Sequence, residues 1–364
     1  MASIKKLANG SYQATVFIGR DSKGKQLRKY ITKPTMKECK AAARELEQEI
    51  EEKRFINVDN VRMAAWMEKW LELNKESLAP STFLGYKMYV EVHFNPYFGQ
   101  LKLSQINEIH IKEYMNAKLK ELSSTTVRKH MLILRRILED ALKHKSPCKD
   151  IKIPNKDDYK PTVLSEDDFK AIHDSVKDDP VMGLRDEGVI LLAAWCGLRR
   201  GEIFALKWDD IDWKKFTLRI DESRSISEEG YIDKKPKSKN GLRTIVVPEY
   251  LIRVLELYRK SLKKITERIF PIRPDHFSSY FAKMVKTRNL PSIRFHDLRH
   301  YHASWLYKQG IPDHYAAQRL GHDIHVLKGI YQHLDMDVKS DIDNLIRSNF
   351  DEKKDKPFAQ TVEK

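Results

Sequence analysis

Cysteine is scarce: Cys39, Cys148 and Cys196 are the only three in 364 residues, and they lie far apart. No Cys-x-x-Cys pair exists, which argues against a zinc ribbon or a disulfide scaffold and fits a reducing compartment. Long apolar runs are missing too. The most apolar stretch, from Gly188 to Gly197, is ten residues, against the roughly 20 that a membrane helix needs. The start of the chain, ASIKKLANGSYQ after the first Met, carries no apolar run of signal-peptide length. Acidic residues are outnumbered, with 52 Asp+Glu against 67 Lys+Arg and a formal charge of +15. What is present is an apolar fraction of 41%, enough for real cores, so the chain is not disordered. The length suggests two or three domains. A soluble, cytoplasmic protein with no membrane partner is expected, and the charge points to a polyanion: DNA, RNA, an acidic membrane surface or an acidic protein.

Three units are expected along the chain. Residues 1–56 read as two strands, Ser11 to Ile18 and Gln26 to Ile31, around a turn at 21–24, with a helix from Thr35 to about Phe55 behind Pro34. The first 40 residues hold ten Lys or Arg and only Asp21 and Glu38 as acids. A basic sheet of this kind fits a DNA groove, with Lys23, Lys25, Arg28 and Lys29 as candidate contacts; the plainer alternative is a solvated basic surface. Residues 60–150 read as four helices: Val61–Asn74, with Trp66 and Trp70 facing a core, Thr82–Phe94, Glu108–Leu119 and Ser124–Lys143. The last buries Val127, Met131, Leu134, Ile137, Leu138 and Leu142. Its other face shows Arg128, Lys129, His130, Arg135, Arg136 and Lys143, with Arg128 and Arg135 as candidate phosphate contacts. Ser146 to Lys160 reads as a linker. Residues 161–350 read as a mixed α/β domain that opens on a helix capped by Ser165 with Asp168 at its third position, with short strands across 211–247. The tail 351–364 is charged and is assigned no fold. No internal repeat is found.

Four islands in the last unit carry candidate chemistry. In the first, an apolar helix ends at Gly197, a C-cap signal; Arg199 follows, with Glu202 at the start of the next helix. There the planar fork of Arg199 can address a phosphate while Glu202 orients its surroundings. In the second, Asn240-Gly241 between β-prone flanks predicts a hairpin with Lys239 at its tip. In the third, His296 and Arg299 stand three apart and share a helical face. The fourth is Leu320-Gly321-His322, with Tyr331 nine residues after the histidine. Any one of these is ordinary by itself: a structural arginine, a turn lysine, a half-buried tyrosine. Together they suit phosphoryl transfer on DNA, where negative charge accumulates on non-bridging oxygens and catalysis is mainly positioning and electrostatics.

In order and spacing the islands resemble the tyrosine recombinase (phage integrase) family. Its pattern is a Gly-x-Arg-x-x-Glu/Asp box, a hairpin lysine, a His-x-x-Arg box, a Leu-Gly-His box and a tyrosine about nine residues on. The resemblance extends upstream, to a helical core-binding domain at 60–150 and a small three-stranded sheet plus helix at 1–56, as in integrases of temperate phages and conjugative transposons. It implies a multidomain, mostly α fold with α+β parts. Tyr331 would attack the scissile phosphate to form a 3′-phosphotyrosyl link, Arg199 and Arg299 would clamp that phosphate, and Lys239 would protonate the leaving 5′ oxygen. His296 would assist proton transfer, His322 would hydrogen-bond the phosphate, and Glu202 would support Arg199. Lys235 and Lys237 compete with Lys239 for its role. The resemblance implies no cofactor and no metal, and double-stranded DNA with core and arm attachment sites. It also implies a homotetramer on DNA, an accessory DNA-bending protein or excisionase, and a place at the bacterial nucleoid.

Three rivals stand against this reading. A type IB topoisomerase shares the chemistry, but the basic amino-terminal unit argues against it. A non-catalytic DNA-binding regulator explains the charge and leaves the islands as coincidence. A zinc hydrolase built on His296 and His300 has Asp297 where the metalloprotease motif needs Glu.

Overall fold

The computed structural model describes residues 3–8, 10–20, 26–51, 60–143, 146–157, 164–177, 179, 183–236, 241–321 and 324. It divides into two units, Met1–Asp158 and Tyr159–Lys364.

The first unit opens with an antiparallel sheet, β1 (Ser3–Lys6), β2 (Tyr12–Arg20) and β3 (Gln26–Lys33), in that order. Alternation decides its faces. Ala14 and Val16 point inward and pack with Cys39, Ala43 and Leu46 of α1 (Met36–Glu51). Phe17, Arg28 and Tyr30 point outward, with Phe17 paired to Arg28 and Thr15 to Tyr30. Strand β1 was implied only by the family resemblance, because its four residues carry three exposed side chains and little pattern. The expected end of α1 at Phe55 and the turn at 21–24 lie outside the described residues.

The helical part of this unit has its own core. It comprises α2 (Met63–Asn74), α3 (Pro80–Met88), α4 (Asn95–Phe98), α5 (Glu108–Glu121) and α6 (Ser124–Leu142). The expected second helix, Thr82–Phe94, starts two residues earlier because Pro80 serves as its first residue. It also widens to a π turn over Tyr89–Phe94, which keeps both Val90 and Phe94 buried. The indoles of Trp66 and Trp70 both reach α6, donating to the Ile137 carbonyl at 2.9 Å and to Asp140 Oδ2 at 2.6 Å.

Two expectations fail here. His130 is not on a solvated basic face: it is fully buried and shares a 2.8 Å hydrogen bond with the Tyr114 hydroxyl. The segment after α6 is not a free linker either. Cys148 and Ile151 are buried in the helical core. Arg128 Nη1 donates to the Pro154 carbonyl at 2.9 Å and Arg135 Nη2 to that of Ile151 at 2.8 Å. Both arginines proposed as phosphate contacts therefore strap this segment onto α6.

The second unit begins with α7 (Glu166–Lys177), capped as its sequence predicts: the Asp168 N–H donates to Ser165 Oγ at 3.0 Å, and the Ser165 N–H to Asp168 Oδ2 at 3.1 Å. Helix α8 (Gly183–Ala194) is buried almost all round and is the axis of the largest core. After α9 (Arg200–Ile203), strands β4 (Ile211–Asp212), β5 (Thr217–Ile220) and β8 (Arg243–Val246) form one sheet in that order. Strands β6 (Ser223–Ser227) and β7 (Gly230–Lys234) form a separate hairpin. Helices α10 (Glu249–Ser261), α11 (Pro274–Thr287), α12 (Asp297–Lys308) and α13 (Asp313–Leu320) complete the described part. Among the described residues, no helix is long and apolar enough to cross a membrane.

Residues 237–240 of the expected Asn240-Gly241 hairpin lie outside the described residues. β7 and β8 belong to different sheets, and β8 pairs with β5, where Leu218 and Ile245 are opposite and buried. Among the described residues, a tight turn joins Ser227 to Gly230, where Gly230 takes φ +113°.

Candidate active site

The site is assembled by two chain reversals that bring distant segments together. Helix α8 ends in a left-handed residue, Gly197 (φ +66°). A Cβ there would stand 2.5 Å from Leu320 Cδ2 and 2.6 Å from His302 Cδ2, so only glycine allows α8, α12 and α13 to close on this turn. Helix α13 likewise ends on Gly321 (φ +63°). The carbonyls exposed at these two helix ends carry partial negative charge, and arginines satisfy them.

Arg299 lies in the first turn of α12, almost completely buried. Its Nη1 donates to the Gly197 carbonyl and its Nη2 to that of Leu320 at 2.6 Å. Arg199, which caps α9 and is partly exposed, donates from Nη2 to the Gly321 carbonyl at 2.7 Å. Both arginines therefore grip the end of α13, immediately before His322.

Glu202 is the hub. It is 3% exposed. Its Oε1 accepts from Arg199 Nη1 at 2.8 Å, and its Oε2 accepts from the Arg199 backbone N–H at 2.9 Å and from Arg243 Nη2 at 2.8 Å. Arg299 Nη1 is 4.0 Å from Oε2. Burial alone would raise the carboxyl's pKa, but Arg243, Arg299 and Arg199 overcome it and hold the group at about 2. Burial and the like charge of Arg199 push Arg299 down to about 9, still cationic at neutral pH. Three guanidiniums around one carboxylate leave a net charge of +2, a site built for an anion.

His296 sits at the N-cap of α12 rather than within it, with its ring perpendicular to that of His300 at 5.1 Å between centroids. The protein packed beneath its ring, followed by the charges of His300 and Arg299, pushes its pKa down to about 4, so it is neutral at neutral pH. Asp297, where a metalloprotease would need its glutamate, is instead committed to Arg294, which donates from Nη2 at 2.8 Å.

Two arginines were not singled out from the sequence. Arg243 opens β8, and the burial alternation of that strand turns Arg243 and Ile245 inward. Arg319 donates from Nε to His302 Nε2 at 3.1 Å. His302 is buried, which pushes its pKa down to about 3 and keeps it a neutral acceptor. A period-two pattern starting on an arginine was the one available signal for Arg243.

The structure thus brings Arg199, Glu202, His296 and Arg299 into one neighbourhood. Lys237, Lys239, His322 and Tyr331 lie outside the described residues, as do Lys23, Lys25 and the tail 351–364. Lys235 is described but belongs to no sheet. In the amino-terminal sheet, Arg28 is exposed and donates to Gln26 Oε1 at 2.6 and 3.2 Å, while Lys29 is half-buried on β3.

Comparison with known proteins gives a consistent picture. Residues 162–337 match the phage integrase family, and residues 63–119 match the phage integrase N-terminal SAM-like domain. A tyrosine recombinase XerC-like protein of Caldanaerobacter subterraneus is 29% identical over 89% of this chain and 92% of its own length. The ICEBs1 integrase of Bacillus subtilis is 26% identical over 91% and 95%. Among solved structures, the Tn1549 transposon integrase in complex with transposon right end DNA aligns with a TM-score of 0.66, at 19% identity, over 79% of this chain and all of that one. A lambda integrase tetramer bound to a Holliday junction aligns with a TM-score of 0.57, at 18% identity, over 88% and 91%. The likeness to these two structures is one of fold.

Proposed function

Because the chain belongs to the phage integrase family of tyrosine recombinases, we propose that it breaks and rejoins DNA at attachment sites through Tyr331, in a pocket built around Arg199, Glu202 and Arg299. The protein is a site-specific DNA recombinase, an integrase that inserts and excises a mobile element. The observation that carries the residue assignment is the convergence of Arg199 and Arg299 on one carboxylate and on the carbonyls just before His322.

The reaction runs as two transesterifications. The Tyr331 oxygen bonds to the scissile phosphorus, the bond from phosphorus to the 5′ oxygen breaks, and a 3′-phosphotyrosyl link remains. Arg199 and Arg299 neutralise charge on the non-bridging oxygens, which is greatest in the transition state. His296 accepts the tyrosine proton, His322 hydrogen-bonds the phosphate, and Lys239 supplies the proton that the leaving oxygen takes up. A 5′-hydroxyl of the partner strand then attacks the phosphotyrosyl phosphorus, forming a new phosphodiester as the bond to the Tyr331 oxygen breaks and that oxygen takes back a proton. Bond energy is conserved in the phosphotyrosine, so no ATP is consumed and no metal or other cofactor is needed.

In this reading residues 1–56 bind arm sites through the outer face of the sheet, residues 60–150 bind the core site, and residues 161–350 carry catalysis. Four copies exchange strands through a Holliday junction, with a DNA-bending protein or excisionase setting direction, at the bacterial nucleoid. That assembly is supported by the fold shared with a tetramer bound to such a junction.

The test is single-turnover cleavage of a nicked core-site duplex in excess EDTA. Arg199→Ala slows cleavage roughly 10²–10³-fold, while binding changes little, since one phosphate contact is a small part of the interface. Equal losses in binding and cleavage, or an absolute metal requirement, refute it.

A further inference from the structure

Three consecutive carbonyls at the end of α13 face three arginines. That of Arg319 accepts from Arg243 Nε at 2.7 Å, that of Leu320 from Arg299 Nη2 at 2.6 Å, and that of Gly321 from Arg199 Nη2 at 2.7 Å. One short stretch of backbone thus aims the guanidiniums of the site, and whatever holds that stretch decides where they point. The side chain of Arg319, which the mechanism above leaves unused, holds it to three other elements. Nη2 donates to the Trp195 carbonyl just after α8 at 3.2 Å, Nη1 to the Val246 carbonyl at the end of β8 at 3.0 Å, and Nε to His302 Nε2 on α12 at 3.1 Å. Arginine can only donate, so the buried His302 ring must present Nε2 as an unprotonated acceptor, with its proton on Nδ1. The ring also hydrogen-bonds the Ala194 backbone. His302 stands three residues after Arg299 on the same face of α12 and packs on the Gly197 turn. The pair of Arg319 and His302 therefore ties together both acceptors of Arg299, the Gly197 and Leu320 carbonyls.

An acidic residue at 302 would hold Arg319 more strongly. It would also set an anion within electrostatic reach of Arg299, whose charge the His302 ring already feels, and so reduce the positive surplus that a phosphate meets. A neutral histidine fixes the helix end without that loss. We propose that Arg319 and His302 are a positioning pair for the phosphate clamp: by pinning the end of α13 to α8, α12 and β8, they place the carbonyls that aim Arg199 and Arg299. The pair acts through those arginines and not on the phosphate itself. This rests on the reading of Arg199 and Arg299 as the clamp.

The experiment compares single-turnover cleavage of two core-site duplexes, one ordinary and one with a neutral methylphosphonate at the scissile position. The second lacks the charge that the clamp offsets. The proteins are wild type, R319Q, R319K, H302F, H302Q and R199A, all as full-length chains. The readout is the ratio of the two rates within one preparation, set against that ratio for wild type, so a reduced folded fraction cancels. R319Q and H302F are expected to be roughly 10–100-fold slow on the phosphate, the size of a misplacement of about 1 Å. They should lose most of that deficit on the methylphosphonate, as R199A should. R319K, whose single amine cannot reach all three partners, should behave like R319Q. H302Q, whose amide oxygen can replace Nε2 as acceptor, should stay close to wild type on both duplexes. If R319Q and H302F are slowed equally on both duplexes while R199A recovers, the pair only supports the fold and the proposal is wrong. Full activity of R319Q on the phosphate also overturns it. If R199A too is slowed equally on both, the clamp reading itself fails and the proposal falls with it.

Discussion

Replacing Glu202 by Gln is the most informative perturbation of the site's electrostatics. A carboxyl held at about 2 instead of its ordinary 4.5 contributes about 3 kcal/mol to the folded state at neutral pH. A second route reaches a similar size: removing one partner of a buried ion pair costs about 3–5 kcal/mol, since Arg199, Arg243 and Arg299 would face each other without an anion. The pH dependence follows from the sign of the shift. Because the folded pKa is depressed, the stabilisation is fully present above the unfolded value near 4.5 and is lost as pH falls towards 2. The assay is urea unfolding of wild type and E202Q side by side, followed by tryptophan fluorescence from neutral pH down to about pH 3. The wild type should be more stable by about 3 kcal/mol at neutral pH, and the gap should narrow on acidification. A gap under about 1 kcal/mol, or one that widens in acid, would show that Glu202 is not an ionised hub.

Two further perturbations test the architecture. Gly197→Ala places a Cβ against Leu320 and His302 in a left-handed residue, so it should cost about 2–4 kcal/mol and displace an acceptor of Arg299; an unchanged Tm contradicts the role given to this turn. Deleting residues 1–56 should abolish footprints on arm sequences while sparing cleavage at a core site, and an unchanged footprint on a full attachment site contradicts the arm-binding assignment.

The sequence was most legible where a local rule and the tertiary structure agree. The apolar stripe of α6, the reciprocal cap of Ser165 and Asp168 and the glycine stop of α8 all follow from short-range physics, and each is found in place. The motif order gave Arg199, Glu202, His296 and Arg299, and these do meet. It gave nothing of their partners. The carbonyls of Gly197, Leu320 and Gly321 become acceptors only when α8, α12 and α13 close together, and no periodicity announces that. Arg243 was missed for the same reason: a buried arginine is defined by partners 41 and 76 residues away in sequence. The pairing of β8 with β5 was not legible either, because turn propensity is local while that pairing is not. The linker reading failed because two small anchors, Cys148 and Ile151, suffice to dock a segment that α6 then holds through Arg128 and Arg135.

The central claim is that Tyr331 is the nucleophile, and the direct measurement is covalent trapping on a nicked core-site duplex labelled on the strand 5′ of the scissile phosphate, the fragment that keeps the phosphate at its 3′ end. Wild type should give a denaturation-resistant adduct whose labelled peptide contains Tyr331. Y331F should bind the same DNA with unchanged affinity and give none. An adduct that persists in Y331F, or maps to another residue, contradicts the account.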